Sequence, residues 1–177
     1  KRKYGTAYSV DNLWLNTCRG LVINTNTNKI VMYPPRKSSE LRTFDTFKEL
    51  NTPVQELIDG TMVNLFYHQD SEQWLLSTRS NIGCTNKWSQ DMNFKEMFDD
   101  CSKDLDYDSL DKSKTYSFVM RHKKNRIITP VTTNELYLVE VRENGRLVEV
   151  PEGVGYHVLP TIDPENLTDT QSRLYKG

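Results

Sequence analysis

Short apolar segments, several of which alternate with polar residues, are separated by polar turns and dominate this chain. Residues 21–23 and 30–33 flank one such turn, and residues 62–67 and 74–78 flank another. An alternating segment buries one face of a β-strand, and two such segments around a short turn predict a hairpin. The chain is therefore constrained toward antiparallel pairing of strands that are neighbours in sequence.

Further strands follow the two hairpins. Alternating segments at residues 115–120, 126–128 and 136–142 continue the pattern. The step Asn144-Gly145 is typical of a tight turn, and it leads into a last strand over residues 147–150. The sequence thus predicts a largely antiparallel sheet that extends to about residue 150.

Helices are fewer. The strongest helix signal follows Asn93, which can cap the first turn while Glu96 reaches back to the cap. The apolar residues that would share one face of this helix are Phe94, Met97, Phe98 and Cys101. Weaker signals predict a helix over residues 44–50, a short turn over 54–57 and a helix from Asp163 toward Leu174. The expected fold class is α+β, with twisted antiparallel sheets and a few covering helices.

Length and charge set limits on the function. A chain of 177 residues suits one domain over residues 1–177, and its start at Lys1 leads us to expect that it is incomplete at one or both ends. The 23 basic residues nearly cancel the 24 acidic residues, so bulk charge does not indicate a nucleic-acid partner. Only local basic clusters could, and the densest runs from Arg121 to Arg126.

Cellular context is indicated by two absences in the sequence. No apolar run approaches the roughly 20 residues that a membrane span requires, so we expect no span. The three cysteines are widely spaced and form no C-x-x-C pair, which favours a reducing, cytoplasmic compartment.

The three histidines share no metal-ligand spacing, so no metal site is predicted.

Five short motifs follow one another along the chain. They are Cys18-Arg19-Gly20-Leu21-Val22-Ile23, Pro34-Pro35-Arg36-Lys37-Ser38, Glu56-Leu57-Ile58-Asp59-Gly60-Thr61, Ser77-Thr78-Arg79-Ser80 and the stretch from Phe118 to Ile128. Their order and spacing, over roughly residues 16 to 150, resemble the adenylation domain of phage-type ATP-dependent RNA ligases. That domain has the nucleotidyltransferase fold, an ATP-grasp-like ligase fold.

The resemblance implies a nucleotide site and an RNA surface. The implied nucleotide-binding residues are Arg19, Lys37, Asp59, Gly60 and Arg79. The implied RNA-binding residues are Arg121, Lys123, Lys124 and Arg126. The implied cofactors are ATP and magnesium.

Leu57 stands where the family carries its nucleophilic lysine, in the K-x-D-G motif. Covalent nucleotidyl transfer needs a side-chain amine with a lowered pKa, and leucine offers only hydrocarbon. Val119 likewise replaces a glutamate of the family. The resemblance therefore implies a pseudoenzyme that binds nucleotide, RNA or protein. Similar lysine-poor sequences in large DNA viruses imply a virion-associated or assembly role with viral or other protein partners.

Alternative interpretations remain open. The chain could be an RNA ligase in which another amine such as Lys48 acts, or one whose lysine was mutated to trap a state. It could also be a plain protein-interaction domain. Asp59-Gly60 could be a simple turn in which glycine takes a positive φ. The arginines and the basic turn could be solvated surface.

Overall fold

The computed structural model describes residues 15, 17–36, 55–87, 91–159 and 161. Contacts divide the chain into two compact units: the described residues up to 36 and from 59 to 158 belong to the first, and residues 55–58, 159 and 161 to the second. The helices expected at residues 44–50 and from 163 toward 174 lie outside the described residues. The expectation of a single domain over residues 1–177 stays a prediction.

Antiparallel strands organise the first unit. A hairpin of β1 (Val22–Asn24) and β2 (Lys29–Met32) forms a two-stranded sheet. A six-stranded sheet contains β3 (Thr61–His68), β4 (Gln73–Ser77), β5 (Lys114–Arg121), β6 (Glu135–Glu143), β7 (Arg146–Val148) and β8 (His157–Val158). The order is β4-β3-β5-β6-β7, and β8 pairs with β6 in parallel. The expected α+β class with mostly antiparallel sheets is confirmed.

One face of the six-stranded sheet forms the main hydrophobic core. Along β5, Tyr116, Phe118 and Met120 are buried in this core, as the alternation of the sequence requires. The helix α1 (Phe94–Cys101) covers them, and the rings of Phe98 and Phe118 meet edge to face with centroids 6.0 Å apart. On the opposite face, Ser117 donates a hydrogen bond to Asn64 at 2.9 Å.

The capped start of α1 is confirmed. The side chain of Asn93 accepts a hydrogen bond from the backbone N of Glu96 at 2.9 Å, and Glu96 Oε2 accepts from the backbone N of Asn93 at 2.7 Å. Phe94, Met97 and Phe98 are buried, so the predicted apolar face packs inward. Within the described ranges, α1 is the one α-helix.

One expectation for regular structure is wrong. Residues 126–128 form a loop and not a strand, because the backbone N of Ile128 donates to a carboxylate of Asp59 at 3.0 Å. The short turn expected near residues 54–57 lies partly outside the described residues and stays a prediction. Of the described residues, none lies in a helix long and apolar enough to cross a bilayer.

Candidate functional site

Three strands place the sequence motifs at one end of the six-stranded sheet. β3 begins at Thr61, which pairs with Met120 near the end of its antiparallel neighbour β5. β4 ends at Ser77, which pairs with Asn64 of β3. Because antiparallel neighbours run in opposite directions, the chain after β4 leaves the sheet at the end where β3 begins and β5 ends. We refer to this as the Thr61 end of the sheet.

The Arg19-Gly20 turn lies against Arg79. Gly20 has a φ of +96°, and a Cβ atom on it would lie 3.2 Å from Arg79 Cα and 3.6 Å from Pro34 Cβ. Glycine tolerates both this conformation and this close approach. Arg19 and Arg79 are both exposed. The structure therefore brings the backbones of two predicted phosphate-binding arginines together at the Thr61 end.

Asp59 holds the loop that follows β5. Its Oδ2 accepts hydrogen bonds from the backbone N of Ile128 at 3.0 Å, the backbone N of Thr129 at 2.7 Å and the hydroxyl of Thr129 at 2.9 Å. The hydrogen bond from the backbone of Thr129 is the main cause that holds the pKa of the Asp59 carboxyl below its ordinary value, and the nearby charge of Arg121 adds to it. Asp59 is thus a structural anchor.

Gly60 and Thr61 are held against the end of β5. A Cβ atom on Gly60 would lie 2.6 Å from Met120 O and 2.6 Å from Val119 Cγ1. The φ of Gly60 is not positive, so the alternative of a simple turn with glycine at positive φ is wrong, and lack of space explains the glycine. The side-chain amide of Asn125 donates to the hydroxyl of Thr61 at 2.7 Å. Val119, at the position of the family's glutamate, thus packs beside Gly60.

The predicted RNA-binding cations are not equivalent. Arg121 pairs with Glu135 at 3.3 Å, and the hydroxyl of Tyr137 donates to the same carboxylate at 3.1 Å. Arg126 Nε donates to the carbonyl of Ile128 at 3.1 Å, within its own loop. Lys123 and Lys124 are exposed. The charge of Arg121 is therefore compensated by a neighbour, whereas the two lysines face solvent.

A buried histidine ties the basic turn to α1. His122 is buried, and its Nδ1 accepts a hydrogen bond from the backbone N of Lys124 at 3.1 Å. The imidazole proton therefore sits on Nε2, which faces Asp100 Oδ2 at 3.4 Å. Sequence reasoning missed this anchor and that of Asn125. The Asn125-to-Thr61 bond joins residues 64 positions apart, which no local pattern indicates.

Two further positions were predicted to belong to the site, Leu57 and Lys37. Leu57, at the expected lysine position, belongs to the second unit, and its side chain is 86% exposed. Lys37 lies outside the described residues. In the part of the chain that the structure describes, no three side chains of His, Cys, Asp or Glu are grouped to hold a metal ion.

No protein-family model matches the chain, and no curated protein matches its sequence. The resemblance to RNA ligases therefore depends on the order of the five motifs. The structural support for a site is that the Arg19 turn contacts Arg79, and that Arg79 follows β4 at the end of the sheet where β3 begins after Asp59 and Gly60.

Proposed function

We propose that this chain is an RNA-ligase-like protein of the nucleotidyltransferase fold that binds a nucleotide, or the phosphorylated end of an RNA, without covalent catalysis. The observation that supports it most is the contact of Gly20 with Arg79, which brings Arg19 and Arg79 to the same end of the sheet. Guanidinium groups form charge-assisted and often bidentate hydrogen bonds with phosphate oxygens. Two arginines on adjacent turns suit a polyphosphate or a terminal phosphate.

Two of the predicted site residues, Asp59 and Arg121, form contacts within the fold. Oδ2 of Asp59 accepts three hydrogen bonds from the loop after β5, and Arg121 pairs with Glu135. We assign the phosphate contacts to Arg19 and Arg79, because both are exposed and lie on contacting turns, with Lys37 as a third, predicted contact. Gly60 contributes by letting the start of β3 approach β5.

The absence of a covalent step follows from the side chains. Leu57 has no nucleophilic atom, and Val119 cannot replace the carboxylate of the family's glutamate. Lys48, the amine considered as a substitute, lies outside the described residues. An amine elsewhere would have to approach the α-phosphate to about 3–3.5 Å in line with the leaving group. We therefore favour binding over ligation.

Equilibrium dialysis with ATP and with RNA carrying either a 5′-phosphate or a 5′-hydroxyl tests this proposal. We expect Arg19→Ala and Arg79→Ala each to weaken binding of the phosphorylated ligands about tenfold. Arg146→Ala is the matched control, because Arg146 is an exposed arginine in β7, at the opposite end of the sheet. No binding, or binding that neither substitution weakens, would favour the alternative of a plain interaction domain.

The resemblance to RNA ligases also implies a cofactor, a location and partners, and these belong to the same proposal. It includes magnesium bound with ATP, a cytoplasmic location, a virion-associated or assembly role, and viral or other protein partners.

A further inference from the structure

Two consecutive isoleucines are presented to solvent by the loop after β5. The exposed fraction is 48% for Ile127 and 72% for Ile128. All residues from 126 to 130 are exposed, and we name this segment the isoleucine loop. A single exposed aliphatic side chain is ordinary, whereas two in sequence form a small apolar patch that suits contact with another apolar phase.

The isoleucine loop is held in its exposed position. Asp59 accepts hydrogen bonds from the backbone N atoms of Ile128 and Thr129, and Arg126 Nε donates to the carbonyl of Ile128. Withdrawing the two isoleucines from solvent would require these bonds to break. The fold therefore stabilises the presentation of an apolar tip.

Exposed cations precede the two isoleucines in the chain. Lys123, Lys124 and Arg126 are all exposed, and none forms an ion pair with a carboxylate of the described residues. Two acids that contact this region have other partners, since Asp59 binds the loop backbone and Glu135 pairs with Arg121. The segment that carries the isoleucines is therefore basic.

We propose that the isoleucine loop docks on an anionic membrane surface, with its two aliphatic side chains inserted among the lipids and its cations on the headgroups. Peripheral membrane binding combines apolar insertion with attraction of Lys and Arg to anionic lipids. Adjacent aliphatic and cationic side chains suit an anionic bilayer, whereas single-stranded RNA is bound largely by aromatic stacking. Residues 123–136 contain no aromatic side chain. This inference goes beyond the proposed phosphate site and does not depend on it.

Sedimentation with vesicles tests the inference, using phosphatidylcholine alone and phosphatidylcholine mixed with phosphatidylserine. We expect binding to the mixed vesicles and none to the neutral ones. Ile127→Ser combined with Ile128→Ser should weaken binding about tenfold, and Lys123→Gln and Lys124→Gln about fivefold each. Leu147→Ser is the matched control, because Leu147 is a 63% exposed aliphatic residue at the opposite end of the sheet.

Several outcomes would overturn the inference. They are failure of the wild type to sediment with mixed vesicles, and sedimentation that the isoleucine substitutions leave unchanged. Loss of RNA binding with the lysine substitutions alone would assign the surface to nucleic acid. Thermal unfolding and ATP binding of each variant separate these results from a folding defect and from failure of the phosphate site.

Discussion

Asp59 binds Thr129 twice, since its Oδ2 accepts from the backbone N at 2.7 Å and from the hydroxyl at 2.9 Å. The two residues are 70 positions apart in sequence. This contact joins the residue two before β3 to the loop after β5. The motif that resembles a ligase active site is thus integrated into the fold by its aspartate, while the arginines remain on the surface.

Asp59→Ala should destabilise the protein by about 1 kcal/mol at neutral pH, because a partly exposed carboxylate loses hydrogen bonds whose strength solvent reduces. Asp59→Asn should cost less, since the amide oxygen can still accept. Urea unfolding measures both, with Asp91→Ala as the control at an exposed aspartate. Equal stability of Asp59→Ala and Asp91→Ala would contradict the anchoring role.

The same contact predicts a pH dependence. The folded pKa of Asp59 lies below the ordinary value of 3.8, so its contribution to stability is present above that value and is lost as the pH falls through the folded pKa. The difference in unfolding free energy between wild type and Asp59→Ala should therefore shrink below about pH 4. A difference that grows on acidification would contradict the sign of the shift.

Gly60→Ala should destabilise the protein by about 2 kcal/mol or more, because the new Cβ would press on the backbone of β5. Gly83→Ala is the informative comparison. Gly83 has a φ of +85° but open space, its nearest contact being Thr85 Cγ2 at 3.8 Å. Its substitution should cost about 1 kcal/mol, from backbone strain alone. If urea unfolding showed a smaller loss of unfolding free energy for Gly60→Ala than for Gly83→Ala, the close packing of Gly60 against β5 would be excluded.

The hydrogen bond between Asn125 and Thr61 should appear as energetic coupling. A double-mutant cycle with Asn125→Ala and Thr61→Val is expected to give a coupling energy of about 1 kcal/mol. The same cycle with Asn125→Ala and Thr133→Val serves as the control, because Thr133 bonds to Glu135 instead. Strict additivity of the first pair would show that the bond contributes nothing to stability.

Thiol reactivity should distinguish the three cysteines. Burial raises the pKa of the Cys84 and Cys101 thiols, each to about 12, whereas Cys18 is exposed. Because the thiolate is the reactive form, titration with a disulfide reagent at about pH 8 should modify Cys18 rapidly and the other two only after unfolding. Cys18→Ser should abolish the fast phase. A second fast thiol in the native protein would contradict the burial.

Local signals explain which parts of the fold the sequence could predict. The hairpin strands and the capped helix after Asn93 depend on alternation, turns and a cap within a few residues. The parallel pairing of β8 with β6 and the loop at residues 126–128 depend on distant partners. Ile127-Ile128 has strand-forming residues, but Asp59 binds the backbone N that a strand would use.

The difference between local sequence signals and contacts with distant residues also applies to the candidate site. Motif order alone indicated Arg19 and Arg79, and the structure places their turns in contact. Asp59 and Arg121 were expected to meet a ligand, yet each has its partner within the protein. A motif reports the type of residue, whereas its hydrogen-bond partners depend on the folded chain.

Radiolabelled ATP with magnesium, measured on the same sample by native filter retention and by denaturing electrophoresis, tests the central claim most directly. We expect label retained on the native wild-type protein, retention that falls about tenfold in Arg79→Ala but not in Arg146→Ala, and no labelled band after denaturation. A covalent band on the denatured wild type, or native retention that Arg79→Ala leaves unchanged, would contradict noncovalent phosphate binding at the Thr61 end of the sheet.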